Sequence, residues 1–473
     1  MSGTCTNTCG DATCQSWESV SLCSADCELY FAWPQRGCNN NWNNVAKDST
    51  NTTTTTPSIM WRFNITNENL GLGCYNAITI NYLSPVIGDI DGDKMQEVVF
   101  LSSATSTEGN RIWAVNDNGS LMFTRQLTAV ANNFNQIAIY PIVEDVNRDG
   151  KADIIYTTGG GTSQIINLNS SNQIQWSYNH QQTSDNDFSL ILHLANVTSD
   201  NYYEIVSSDN SLLEVINGSG MNVWNYNGGM VMTGSGGDSN NDKLDELFIG
   251  STSTNSVNLL ELSSQGNQLW ASNYQSSGYY KGAANLNTLS PSDMYVTFVD
   301  TSANTIQTVY ASNGMGYNSL NAMGYLGISE GAVGNLTGGN WLDFVVNYDN
   351  DLYIYNSMDF SQIWNTNSLW TYGNALVGGG VIGDINGDGQ LDVIGFKDNN
   401  LYAFRGNNGQ ELWNIQVAAA NSMSITPRIA LADINKDGKL DIIIATSQSS
   451  QSPDPCNDVG YNTFAEVVAV TTE

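Results

Sequence analysis

One short acidic segment recurs along the chain, and its period constrains the fold more than any other feature. It reads GDIDGDKMQEVVF from Gly88, EDVNRDGKADIIY from Glu144, GDSNNDKLDELFI from Gly237, GDINGDGQLDVIG from Gly383 and ADINKDGKLDIII from Ala432. Degenerate copies fall between these: ANVTSDNYYEIVS from Ala195, ANLNTLSPSDMYV from Ala284 and GNLTGGNWLDFVV from Gly334. The loops begin at residues 89, 145, 196, 238, 285, 335, 384 and 433, so successive copies lie 42 to 56 residues apart. A fixed period of that length marks an architecture built by repeating one supersecondary unit.

Each copy carries a short apolar strand, the acidic loop, a β-rich apolar strand such as Glu97 to Leu101, and two further strands. The last of these places an aromatic after a turn: Phe123, Trp176, Trp224, Trp270, Tyr317, Trp364 and Trp413. Four antiparallel strands per repeat predict an all-β fold, an eight-bladed β-propeller. The eighth copy has a third strand at Ala465 to Val470 but no fourth, and Ser58 to Thr66, SIMWRFNIT, supplies a fourth-strand context around Trp61. This N-terminal strand is expected to close the last blade, which leaves no unpaired edge at the seam.

The domain reading is therefore a propeller over 58–473, preceded by a Thr-rich linker at 49–57 and a Cys-rich module at 1–48. Cys5, Cys9, Cys14, Cys23, Cys27 and Cys38 crowd the module, and six cysteines in so short a stretch read as a disulfide framework of open connectivity. Cys74 and Cys456 stand alone at connections flanking the closing blade and are expected to pair. Sequons at Asn51, Asn64, Asn118, Asn169, Asn196, Asn217 and Asn335 agree with a secreted glycoprotein at the cell surface. With 46 acids against 15 bases the net charge is -31, which disfavours nucleic acid and anionic membranes as partners. No apolar run is long enough for a spanning helix.

The acidic loops carry the chemistry. Positions 1, 3, 5 and 9 are Asp89, Asp91, Asp93 and Glu97 in the first copy and Asp145, Asn147, Asp149 and Asp153 in the second. The remaining sets are Asp238, Asn240, Asp242 and Glu246; Asp384, Asn386, Asp388 and Asp392; and Asp433, Asn435, Asp437 and Asp441. The carbonyl of position 7 (Met95, Lys151, Leu244, Gln390 or Lys439) can complete an all-oxygen cage. Hard oxygen donors without His or Cys select Ca²⁺, about five ions in all. The copies at Asn196, Asn285 and Asn335 have lost carboxylates at positions 1, 3 or 5 (Asn196, Thr198 and Asp200; Asn285, Asn287 and Leu289; Asn335, Thr337 and Gly339) and are expected to be metal-free.

These five loops resemble the FG-GAP (VCBS-type) repeat, the calcium-binding blade of integrin alpha-subunit propellers and of many secreted repeat proteins. The third and fourth strands, as in LYAFRGNNGQELW, are also similar to the repeat of eight-bladed quinoprotein propellers. The resemblance implies a calcium-stabilised adhesion or scaffold protein with protein or glycan partners, possible as a homo-oligomer or filament subunit. A lectin-like carbohydrate binder, using aromatics such as Tyr279 and Tyr280, is the alternative, and a polysaccharide lyase or quinoprotein-like oxidoreductase a third. Against catalysis, the only histidines are His180 and His193, with no nucleophile spacing around them. His193 falls in an innermost strand, where it faces the central channel or lies in the core. Long connections opposite the acidic loops, among them 275–281 and 364–376, are expected to hold the partner surface.

Overall fold

A computed structural model describes residues 56–65, 78–80, 85–104, 110–127, 141–158, 164–180, 191–200, 202–208, 212–228, 233–253, 256–274, 278–285, 294–300, 305–321, 332–348, 351–366, 380–397, 399–417, 425–450 and 462–472. Their strands form eight antiparallel sheets, numbered here along the chain. Seven are each woven from one continuous stretch. Sheet 2 is typical, with Ile142–Glu144, Asp153–Thr158, Gln164–Leu168 and Ile174–Asn179 in spatial order. The eighth is composite: Ile425–Ala432, Asp441–Ser450 and Asn462–Thr472 are completed by Pro57–Ile65. There Pro57 pairs with Thr472 and Ile65 with Ala465. Arg62 ties the seam further, donating to Glu466 Oε1 at 2.8 Å and to the Val417 carbonyl at 2.7 Å.

Burial follows strand position. Second and third strands are closed in on both faces and read as apolar runs, as in Glu204–Ser208 and Leu212–Ile216, every residue of which is buried. Fourth strands such as Ile174–Asn179 and Asn222–Asn227 alternate exposed and half-buried residues, as an edge strand with one solvated face should. In all eight sheets the pairing of third and fourth strands slips by one residue beside the fourth-strand aromatic, the composite sheet included.

The core lies between sheets rather than within any one of them. Val86, Ile90, Val99 and Leu101 of sheet 1 pack on Val143, Ile154 and Tyr156 of sheet 2. Phe100 and Val98 of sheet 1 join Ile442 to Ile444 and Val467 to Val470 of sheet 8 in another cluster. The contacts thus return from the last sheet to the first, which is the closure of a β-propeller.

A repeated interlock joins neighbours at the outer edge. The fourth-strand indole Nε1–H donates to a carbonyl in the next sheet's third-to-fourth-strand turn: Trp61 to Asp117, Trp176 to Gly218, Trp224 to Ser264, Trp270 to Ala311 and Trp364 to Gly406. The ring lies against a glycine of that turn held at positive φ, for instance Gly220 under Trp176, where an added Cβ would come within 2.7 Å of the indole. Only glycine combines that backbone with that approach.

Two sequence expectations change, and one alternative is decided. Sheet 1 has an additional inner strand, Ile78–Ile80, which pairs with the far end of Glu97–Ala104 beyond Val86–Gly88. The third strand of sheet 8 spans Asn462–Thr472, longer than Ala465 to Val470, because it continues in register along both neighbours. Of the two places open to His193, the structure gives the core, where it is fully buried. The Cys-rich module, most of the linker, Cys74, Cys456, Asn51 and most of the long connections lie outside the described residues, as do the side chains of Tyr279 and Tyr280.

Candidate functional site

The five acidic loops share one backbone. Positions 4 and 6 both adopt positive φ: Gly92 and Lys94, Arg148 and Gly150, Asn241 and Lys243, Gly387 and Gly389, Lys436 and Gly438. Two left-handed residues flanking position 5 turn successive side chains toward the same centre.

Hydrogen bonds then fix each side chain. The position 1 carboxylate receives amides from positions 4 to 6; Asp145 Oδ1 accepts from Arg148 N at 2.7 Å and Oδ2 from Gly150 N at 2.9 Å. Asp384 and Asp433 do the same with Gly389 and Gly438. Position 3 accepts from the position 5 amide, and position 5 from the position 7 amide, as Asn386 does from Asp388 and Asp388 from Gln390, both at 2.9 Å. The position 9 carboxylate reaches back to the amide of position 2 in four loops: Glu97 to Ile90, Glu246 to Ser239, Asp392 to Ile385 and Asp441 to Ile434. In the first loop, oxygens of Asp89, Asp91 and Glu97 lie within 4.8 Å of one another.

Burial pushes the position 9 carboxyls up, and crowding by acids of the same loop adds to it. Glu97 and Asp392 rise to about 8, Asp153 and Asp441 to about 7. Asp153 Oδ2 and Asp441 Oδ1 are buried with no hydrogen-bond partner. Such oxygens are costly to bury and suit a cation.

The degenerate loops satisfy the same position differently. Thr198 Oγ1 donates to Glu204 at 2.8 Å, and Thr337 Oγ1 to Asp343 at 3.0 Å, so a hydroxyl occupies the inward carboxylate. Asp200 is paired with the Arg148 guanidinium from the neighbouring acidic loop, which lies 3.8 Å over the Tyr202 ring. At Asn335 the amide Nδ2 donates to Gly339 O at 3.0 Å. Of the loop at Asn285, only Asn285 is described. Asn118, Asn169 and Asn217 sit on third-to-fourth-strand turns, where each side-chain oxygen caps an amide two residues on, and Asn64 is exposed on the closing strand.

A polar cavity of about 330 Å³ opens beside the second loop. Asp149, Lys151 and Asp153 line it with Asn169, Gln173 and Gln175 of the adjoining turn. Gln175 Nε2 and Asn147 Nδ2 each donate to Asp153 Oδ1 at 3.0 Å.

Sequence reasoning missed a buried cluster between sheets 2 and 3. His180 Nδ1 lies 2.6 Å from Glu214 Oε2, and Tyr178 donates to Glu214 Oε1 at 2.7 Å. Ser207 Oγ lies 3.3 Å from the same ring nitrogen. Acid and hydroxyl share one nitrogen, so the imidazole does not relay a proton between them as a nucleophile–base pair requires. These residues meet across two sheets, and no local spacing announces them.

The FG-GAP-like repeat family matches residues 384–444, the stretch holding the loops at Asp384 and Asp433. The chain is a β-propeller that carries an FG-GAP-like repeat. No curated protein matches it in sequence. Among solved structures the chain is similar to BamB from Moraxella catarrhalis, at 11% identity and TM-score 0.45, covering 88% of this chain and 98% of that one. It is similar to BBS1N in its complex with ARL6DN, at 12% identity and TM-score 0.44, covering 79% and 99%. The V. cholerae biofilm matrix protein Bap1 matches at 11% identity and TM-score 0.38, covering 88% and 91%.

Proposed function

We propose that this FG-GAP propeller is an extracellular adhesion or scaffold protein, an eight-bladed ring whose acidic loops hold about five Ca²⁺. The carrying observation is that five loops repeat one backbone and one inward set of oxygen donors. The residues for each ion are those at positions 1, 3, 5 and 9 with the position 7 carbonyl. A divalent cation among them offsets the mutual repulsion of the carboxylates and stabilises the loops between first and second strands. The role is structural, and the glycans, disulfides and assembly into oligomers or filaments belong to the same reading.

Metal analysis of the purified protein, with thermal unfolding before and after chelation, tests it. About five Ca²⁺ per chain and a lower melting temperature in chelator are expected. Fewer than three ions, or no thermal effect, overturns the reading.

The cavity beside the second loop favours carbohydrate as the partner class, because amides and carboxylates in a cleft match the alternating donors and acceptors of sugar hydroxyls. A glycan array probed with and without calcium tests this reading. Absence of any calcium-dependent signal, together with unchanged binding by a Gln173→Ala variant, refutes it.

A further inference from the structure

The second acidic loop holds its position 9 carboxylate in a way that its four sisters do not. In those four the position 2 amide donates to position 9: Ile90 to Glu97, Ser239 to Glu246, Ile385 to Asp392 and Ile434 to Asp441. In the second loop the position 2 amide, Val146 N, donates instead to the Glu144 carbonyl at 2.9 Å. Asp153 therefore lacks the main-chain tether that orients its counterparts.

A side chain takes the place of that tether. Gln175 Nε2 donates to Asp153 Oδ1 at 3.0 Å, and Asn147 Nδ2 donates to the same oxygen at 3.0 Å. Asn147 Nδ2 also lies 3.4 Å from Gln175 Oε1, which closes a triangle of three side chains. Two corners of the triangle, Asn147 at position 3 and Asp153 at position 9, are ion ligands in the calcium reading. With its nitrogen engaged by Asp153 and Gln175, the Asn147 amide keeps its oxygen on the loop, where it accepts from Asp149 N at 2.9 Å.

The sequence marks Gln175 as an exception among the acidic-loop sheets. It immediately precedes the fourth-strand aromatic, and the residue so placed in the four sister sheets is Met122, Leu269, Leu412 or Met60, none of which carries a side-chain donor. The donor is thus present where the main-chain tether is missing. Gln175 is exposed on the edge strand, whereas Asp153 is only 2% exposed and its Oδ2 has no hydrogen-bond partner. Both residues line the cavity beside the loop. One carboxylate oxygen is held from behind and the other is left available, which is how an outer layer of hydrogen bonds orients a metal ligand.

We propose that Gln175 is a positioning residue for the second loop's cation, fixing Asn147 and Asp153 in their ligating orientation without touching the ion. This inference rests on the calcium reading of the loops. Residues in the layer behind the ligands are worth about ten- to a hundredfold in metal affinity, and the exposed location of Gln175 puts it at the lower end. The second loop then depends on the edge strand of sheet 2 for its affinity, where its sisters depend on their own backbone.

The test is a calorimetric Ca²⁺ titration of the full-length protein freed of metal by chelation. Gln175→Leu is mild toward the fold, because Leu269 and Leu412 stand at this position in two sister sheets. The variant should weaken one of about five sites by about tenfold and leave the others as they are. That site is identified as the one missing from Asp145→Ala. The melting temperature in chelator should match that of the parent. Unchanged affinity at the second loop, with the parent still binding its ions, overturns the role of Gln175 alone. A lower melting temperature in chelator with all sites weakened alike also overturns it, since Gln175 then serves the fold and not the ion. A parent that takes up no Ca²⁺ overturns the inference together with the calcium reading.

Discussion

Lowering the pH should unfold this propeller partly through one residue, His193. It lies in the inner strand Ile191–Ala195, opposite Val206, with no exposed surface and neither ring nitrogen partnered. Burial alone drives its pKa from 6.5 to about 3. The unfolded chain therefore takes up a proton near pH 6.5 that the native state refuses, so stability is full above that value and falls as pH drops toward 3. At 1.36 kcal/mol per unit, the loss is about 2 kcal/mol at pH 5 and approaches about 5 kcal/mol near pH 3. A His193→Leu variant removes the group at similar volume and also removes two unsatisfied nitrogens, so it should gain about 1–3 kcal/mol even at pH 8. Denaturant unfolding of both proteins from pH 8 to 5, with calcium held constant, gives the difference directly, because carboxyl contributions common to both cancel. The variant's advantage should widen by about 2 kcal/mol over that range. A constant difference would show that His193 is protonated or solvated in the native state and refute the reasoning.

Two further expectations follow from backbone geometry. Lys94 and Lys243 hold left-handed φ values of 78° and 75° at a position where three sister loops carry glycine; Lys94→Gly and Lys243→Gly should each raise stability by about 1 kcal/mol, roughly additively, and a melting temperature unchanged in the double variant contradicts this. Gly220→Ala combines φ of 76° with a Cβ 2.7 Å from the Trp176 ring and should cost about 2–3 kcal/mol, whereas Gly150→Ala, with φ of 83° and open space around it, should cost only about 1–2; equal losses in urea unfolding mean that the indole moves aside freely.

Much of this arrangement was legible because the repeat is local. Each acidic loop, its flanking strands and its aromatic lie within one period, and Trp61 announced the closing strand by the same local pattern. Long-range pairing was less visible. His180 and Glu214 are 34 residues apart and meet only because sheet 3 packs on the outer strand of sheet 2. Glycine at position 6 signalled one left-handed residue in three loops, but position 4 is filled by Arg148, Asn241 and Lys436 in three cases, so its turn could not be read from residue type. Ile78–Ile80 was hidden because it extends an existing sheet past its inner strand instead of beginning a repeat.

The degenerate loops separate two roles that the acidic loops combine. The position 8 amide of one loop donates to a carbonyl of the preceding one: Ala152 to Asp89 at 2.7 Å, Gln96 to Ile434 at 3.1 Å, and Asp245 to Asn196 at 2.7 Å. In the last pair the accepting loop has lost the acid at position 1, where it carries Asn196, and has Thr198 at position 3, yet the main-chain joint between sheets is intact, and Asp245 Oδ2 accepts a second bond from the Asn196 amide at 2.8 Å. Joining sheets therefore needs the loop's path and not a carboxylate at position 1. The carboxylates at the other five loops incur burial and mutual repulsion that this joint does not require. The cation proposed for each would offset that repulsion, whereas in the loop at Asn196, which keeps only Asp200 and Glu204, Asp200 pairs with the Arg148 guanidinium and Glu204 accepts from Thr198 Oγ1.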